Sequence, residues 1–229
     1  MEERYENAAV TWTQQFCRIN SFLGAGKREA VFLAEKILKE SCDATVTVYD
    51  ADTEEPYIIA EKTCENPKFR LLLKGHLDVV SPEGMEHPFD AEIKDGILYG
   101  RGSVDMKGGC GSMLAAFVAA CQKPLEGDLY LMFSTDEEYA GEEIKKALEK
   151  GHLPKVDFAF LRNRPMEPWQ RHTKGKHGLM WNFSAKVPIP ACLIWEKTPF
   201  IWQQHFCIIC RHICRKWKKW HTPSMAHLP

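Results

Sequence analysis

The chain has 229 residues, a formal net charge of −1 and 45% hydrophobic residues, enough to bury the core of one large domain or one and a half. That balance excludes a protein that works as a whole by bulk charge on nucleic acid or on an anionic membrane surface. No apolar run approaches the roughly 18 residues of a membrane span and Met1-Glu2-Glu3-Arg4 does not open a signal peptide, so the expectation is a soluble, cytoplasmic protein with no membrane partner.

Residues 8–20 and 27–40 carry apolar side chains every three or four positions and read as amphipathic helices, the second with Phe32, Leu33, Ile37 and Leu38 toward the core. Residues 44–49 alternate as a strand, 56–60 form a second, and 69–74 a third whose nearly continuous apolar centre predicts a central strand buried on both faces. Gly75-His76-Leu77-Asp78-Val79-Val80 follows it. Asp95-Gly96 marks a turn before Ile97-Leu98-Tyr99, which runs into Gly100-Arg101-Gly102-Ser103-Val104-Asp105. Residues 112–121 predict a buried helix, 128–134 a core strand, 141–150 a charged surface helix ended by Gly151, and 156–161 a last strand. Strand and helix alternating in this way predict an α/β fold, a mixed, largely parallel sheet flanked by helices. In such sheets the working residues collect at the carboxyl ends of strands. Cys17, Cys42, Cys64, Cys110 and Cys121 are spread singly, which reads as reduced, mostly buried thiols.

The polar residues that leave these strand ends are of metal-ligand type. A zinc pair needs imidazole nitrogen and carboxylate oxygen, an open position for water and a nearby base. His76, Asp105 and Glu138 can serve as ligands, with Glu137 beside them as the base. The strand period puts His76 and Asp78 on one side, so Asp78 can hydrogen-bond the imidazole and select the nitrogen that faces a metal. Taken singly, Asp136-Glu137-Glu138 reads as an acidic helix start favoured by the macrodipole, and His76-x-Asp78 as a turn pair. Gly100, Gly102, Gly108 and Gly109 lack the spacing of a phosphate loop. Three motifs in order, each at an element end, favour the metal reading.

The stretches 75–80, 95–109 and 134–141 resemble the signatures of the di-zinc amidohydrolases, the family of acetylornithine deacetylase, succinyl-diaminopimelate desuccinylase, aminoacylase, carboxypeptidase G and related dipeptidases. The likeness runs from about residue 10 to residue 161. It implies that His76 binds one zinc, Asp105 bridges two and Glu138 binds the other, with cobalt or manganese as possible substitutes. It further implies that Asp78 orients His76 and that Glu137 is the general base. The implied activity is hydrolysis of an amide in a small-molecule N-acyl amino acid or a short peptide, and the family is often homodimeric through a smaller lid domain. Residues 1–161 would then be the amino-terminal part of a zinc-exopeptidase-like catalytic domain.

Two ligands of the family pattern are missing in their expected form: a Glu in a Glu-Pro-Thr motif soon after residue 161, and a His near the end of the family's longer chain. Glu167-Pro168 lies four residues too far on. From Pro168 onward Glu196 is the only acidic residue, and four of the seven tryptophans follow Lys186. Reading codons for 186–204 one nucleotide earlier permits G-T-H-S-S-M-P-D-L-G-K-N-A-I-Y-L-A-A, which looks like the family's lid motif. The same shift over 162–168 permits A-E-P-T, while 175–184 is back in frame. The expectation is a scrambled remnant of an α+β lid over 162–229, poorly ordered because selection never shaped it to fold, in a truncated and weakly active or inactive chain. The rival is a non-enzymatic metal- or nucleic-acid-binding protein using Cys207, Cys210, His212 and Cys214 with the basic, Trp-bearing 215–220. Those four ligand types are crowded into eight residues, against the spacing of zinc knuckles, so the site and any nucleic-acid partner are disfavoured.

Overall fold

The computed structural model describes residues 2–161. The expected lid remnant over 162–229, Glu167-Pro168, the Cys207–Cys214 cluster and the basic 215–220 stretch lie outside them.

Two helices, α1 (Glu2–Arg18) and α2 (Ala25–Ser41), lead into β1 (Thr45–Tyr49), β2 (Tyr57–Lys62) and β3 (Arg70–His76). A hairpin follows, β4 (Glu92–Lys94) and β5 (Ile97–Tyr99), then α3 (Gly108–Cys121), β6 (Asp128–Ser134), α4 (Glu142–Glu149) and β7 (Phe158–Leu161). The hairpin turn takes positive φ at Asp95 (53°) and Gly96 (77°), the backbone that two-residue hairpin loops need and that Asp-Gly tolerates.

The main sheet has the order β1-β2-β6-β3-β7. β2 is antiparallel to β1 and β6, while β3 is parallel to β6 and β7, so β2 alone runs against the other four. The central strand is β6, all seven of whose residues are buried, and not the 69–74 run. β3 alternates instead: Leu71 and Leu73 are buried, while Leu72 is partly covered from the other face by the cluster around Tyr57, Ile59, Met132 and Ala147. Helix α4 closes that face through Ile144 and Ala147. On the opposite face Phe16 of α1 meets Phe133 of β6 edge-on, with ring centroids 6.3 Å apart.

Helix α2 buries Lys27, Ala30, Val31, Ala34, Ile37 and Leu38. The expectation that Phe32 and Leu33 face the core is corrected. At 100° per residue a stripe centred on Val31, Ala34 and Leu38 leaves Phe32 to the side, and it is 42% exposed. Both line a groove of about 660 Å³ with Ile19 and the stem of Arg18. The segment Ser103–Cys121 has the length and mean hydropathy, 1.2, of a membrane span, yet 72% of it is buried within the described residues, as a core helix is. The five cysteines among the described residues are free thiols, with Cys17, Cys110 and Cys121 buried.

Two positions set the packing tolerances. Helix α1 crosses α3 at Gly111, where a Cβ would lie 2.8 Å from Ala9 O and against the Thr13 hydroxyl. Gly111→Ala should therefore force the helices apart and cost about 1–3 kcal/mol; an unchanged urea midpoint would show that the crossing has slack. Glu143, in the first turn of α4 and 2% exposed, accepts the Thr135 backbone N–H at 2.7 Å. Burial pushes its carboxyl up from 4.5 to about 8, opposed by that hydrogen bond. A carboxyl raised on folding stabilises the native state below pH 4.5 and loses that contribution as pH climbs through 8. Glu143→Gln keeps an acceptor without the charge, so its stability relative to the parent should improve from pH 5 to pH 8 by on the order of 1 kcal/mol or more. Paired urea titrations that shift in parallel between the two pH values would contradict this.

Candidate metal centre

The site grows from the parallel β3–β6 pair. In their register His76 sits opposite Ser134, each the last residue of its strand, so the chains leaving both strands emerge side by side. The Leu77 N–H still reaches Ser134 O at 2.8 Å. Gly75 makes room for this: a Cβ there would stand 2.7 Å from Cys110 Sγ and 2.9 Å from Met113 Cε, so a larger residue would have to push those α3 side chains aside.

His76 is 1% exposed. Its Nδ1 lies 3.2 Å from the Asp78 carbonyl oxygen and 3.3 Å from Asp78 Oδ1. Although β3 ends at His76, Asp78 still reaches the imidazole from the extended segment that follows. Asp78 is fully buried, and its Oδ2 accepts the Glu138 N–H at 2.9 Å. One carboxylate thus joins the exit of β3 to the loop after β6. Burial works against ionisation of Asp78, but the hydrogen bonds from His76 and the Glu138 amide outweigh it and lower its pKa.

With Nδ1 occupied, Nε2 faces the carboxylates. It lies 3.5 Å from Asp105 Oδ1 and 3.6 Å from Glu137 Oε2, and ligand atoms of His76, Glu137 and Glu138 all fall within 4.8 Å of one another. Asp105 comes from the irregular turn Ser103–Lys107 ahead of α3, where its backbone leaves helical geometry (φ −124°, ψ 98°). Glu137 and Glu138 ride on the loop between β6 and α4. Asp136, beside them, turns away from the cluster and accepts the Glu142 N–H at 3.0 Å, while its carbonyl takes the Gly141 N–H at 2.8 Å. The acidic run is therefore split: Asp136 fastens the loop to α4, and the two glutamates face the histidine.

Burial disfavours a charged imidazole, yet Asp105 and Asp78 together push His76 up to about 10. Burial, and then repulsion from Asp105, raise Glu138. Acidic side chains gathered around a buried imidazole favour positive charge between them. His76 Nε2 makes no hydrogen bond and faces Asp105 and Glu137.

Two supports escaped the sequence reading. Lys107 is fully buried, with its Nζ donating to Ile19 O at 2.8 Å, and burial lowers it to about 8. It pins the chain just after Asp105 to the end of α1. Lys27 is 5% exposed and its ammonium lies 5.1 Å from the Tyr139 ring centroid, under the loop that carries the glutamates. For Lys107 a signal existed, since it follows Asp105 by two residues; for Lys27 there was none.

A profile of the peptidase family M20/M25/M40 matches residues 72–198. Among curated proteins, succinyl-diaminopimelate desuccinylase of Wolinella succinogenes is 44% identical over 93 residues, covering 37% of this chain and 24% of that protein. The enzyme of the same name from Gluconobacter oxydans is 39% identical over 151 residues, covering 61% and 37%. The chain thus spans well under half the length of these relatives. In fold it is similar to an M20 family metallo-carboxypeptidase from Sulfolobus solfataricus, with a TM-score of 0.58 at 23% identity over 70% of this chain and 38% of that one. A dinuclear metal binding peptidase of Bacillus subtilis gives a TM-score of 0.54 at 18% identity, over 71% and 44%. With more than half of its residues matched by the profile, the α/β chain belongs to peptidase family M20/M25/M40.

Proposed function

We propose that His76, Asp105 and Glu138 hold a divalent metal centre, zinc by ligand type, in a hydrolase that cleaves an amide of an N-acyl amino acid or a short peptide in the cytoplasm. The observation that carries this is the buried, unbonded Nε2 of His76, aimed at acidic side chains from two other segments while Asp78 occupies Nδ1. Family membership supports the reaction class, and the desuccinylase activity for which the Wolinella succinogenes and Gluconobacter oxydans relatives are named supports the substrate class. When bound, the metal supplies Lewis-acid polarisation of a carbonyl and acidifies water.

This chain's own residues do the rest. Asp78 keeps the imidazole proton on Nδ1, so that Nε2 offers its lone pair. Glu137, 39% exposed, stands at the open side of the cluster. Its carboxylate can hold a proton and return it to a leaving amine. Glu138, whose own amide is held by Asp78, is the more enclosed neighbour suited to a ligand's part. The expected remaining ligands belong to the family pattern beyond residue 161. We also propose that 162–173 and the stretch from 187 onward are out-of-frame translation, so that the family's Glu-Pro-Thr glutamate is not supplied soon after residue 161 and metal binding and turnover are weak.

Calorimetric zinc titration of the 229-residue chain tests the site. Binding should be weak, absent in His76→Ala, and about 10–100-fold weaker in Asp78→Asn, which removes the ionised partner of the imidazole. Glu137→Gln should leave zinc affinity nearly unchanged if Glu137 handles the proton, whereas Glu138→Gln should lower it. Equal losses in the two variants would make Glu137 a ligand instead. Two tightly held zinc ions together with full-rate hydrolysis of N-acyl amino acids would overturn the out-of-frame reading.

A further inference from the structure

Tyr139 directly follows Glu138, and its ring is gripped from a segment far away in sequence. Lys27, in the first turn of α2, holds its ammonium 5.1 Å from the Tyr139 ring centroid, and the Phe22 centroid lies 6.0 Å from it at an interplanar angle of 52°. Lys27 is buried, and among the described residues its ammonium forms no hydrogen bond or ion pair; the Tyr139 ring is what it meets. A cation in the first turn of a helix opposes the macrodipole, and this turn carries no acidic residue to offset it. Burying a charge without an anion is unfavourable as well. The π face of a tyrosine answers both penalties, with an attraction that strengthens away from water.

The gripping segment is itself well fastened. Between α1 and α2, Ile19 O accepts Lys107 Nζ at 2.8 Å, and the Ser21 hydroxyl donates to Leu77 O. A Cβ on Gly26 would collide with Asn20 O, so the segment folds back tightly on the start of α2. The loop after β6 is tied at its ends, Thr135 to Glu143 and to Pro56 O, and Gly141 and Glu142 to Asp136. Between those ends the Glu138 amide is held by Asp78, and the next residue's ring by Phe22 and Lys27.

We propose that Lys27 and Phe22 clamp the Tyr139 ring as a positioning device for Glu138, and so set the affinity of the centre for its metal. This rests on the metal reading of the site. Asp78 fixes the glutamate's own amide, and the clamp fixes the residue that follows it, which together orient the Glu138 side chain. Lys27 acts through that loop and touches neither metal nor substrate. A lysine present only for the packing of its stem would leave the loop indifferent to its charge.

Hydrogen exchange of the full chain, followed by mass spectrometry over 135–141, reads the loop without any metal. Lys27→Met keeps the stem and removes the charge, and Tyr139→Leu removes the ring. Each should speed exchange over 135–141 by about 2–30-fold, the span expected for losing one cation–π contact, while exchange over β6 keeps the parental rate. Lys27→Arg and Tyr139→Phe retain the cation and the ring and should restore slow exchange. In calorimetric titration zinc affinity should fall in Lys27→Met and Tyr139→Leu and recover in the conservative pair. Parental exchange in Lys27→Met overturns the clamp, as does acceleration that extends equally through β6, which would make Lys27 a support of the whole fold. Faster exchange with unchanged zinc affinity overturns the positioning role. A misassigned metal centre shows differently, as zinc binding that survives His76→Ala.

Discussion

Everything at the site depends on one buried carboxylate. Asp78 Oδ2 accepts the Glu138 amide, while its Oδ1 and its backbone carbonyl lie 3.3 and 3.2 Å from His76 Nδ1, so a single residue joins two strand exits that are 58 residues apart in sequence, His76 and Ser134. An ionised group with no solvent exposure is unfavourable without partners. Here the contacts with the imidazole and the amide act as a geometric constraint. Were the loop to move, the buried carboxylate would lose its amide.

Around that carboxylate the fold arranges successive layers of support. Asp136 and Glu143 hold the loop after β6, the first to the start of α4 and the second to Thr135. Lys107 ties the turn carrying Asp105 to α1, and the Ser21 hydroxyl donates to Leu77 O just past the histidine. Each support is a buried polar group whose partner is backbone. These fastenings hold the histidine and the acidic side chains in place, as the preorganisation of a charged site requires.

Much of this was legible in the sequence, for identifiable reasons. His76, Asp105, Glu137 and Glu138 stood out because acidic and imidazole side chains directly follow apolar, strand-like runs, and strand ends in α/β sheets meet in space. The order of strands was not legible. The runs 69–74 and 128–134 look equally apolar, and only pairing with β2 on one side and β3 on the other makes β6 the centre. Phe32 and Leu33 misled because size and hydropathy outweigh small residues in a pattern, whereas Ala30 and Ala34 permit the close approach. Buried Lys107, Lys27 and Glu143 were hidden for a related reason: charged residues are read as surface, and the acidic start of α4 looked like an ordinary solvated helix terminus. The resemblance to the amidohydrolases identified the family, while the residues alone allowed either a metal site or a pair of ordinary turns.

The sheet order also bears on how the chain acquires its shape as it is made. The strand bearing His76 leaves the ribosome 52 residues before the first residue of β6, its first neighbour in the sheet. Until β6 emerges, the nascent β3 has both edges open and a Leu71-Leu72-Leu73 run uncovered, the kind of segment that associates with other chains. β2 waits for the same strand on its other side. One late strand therefore seals two earlier ones at once, and synthesis interrupted shortly before residue 128 would release a chain richer in sticky edges than either a shorter or a longer fragment.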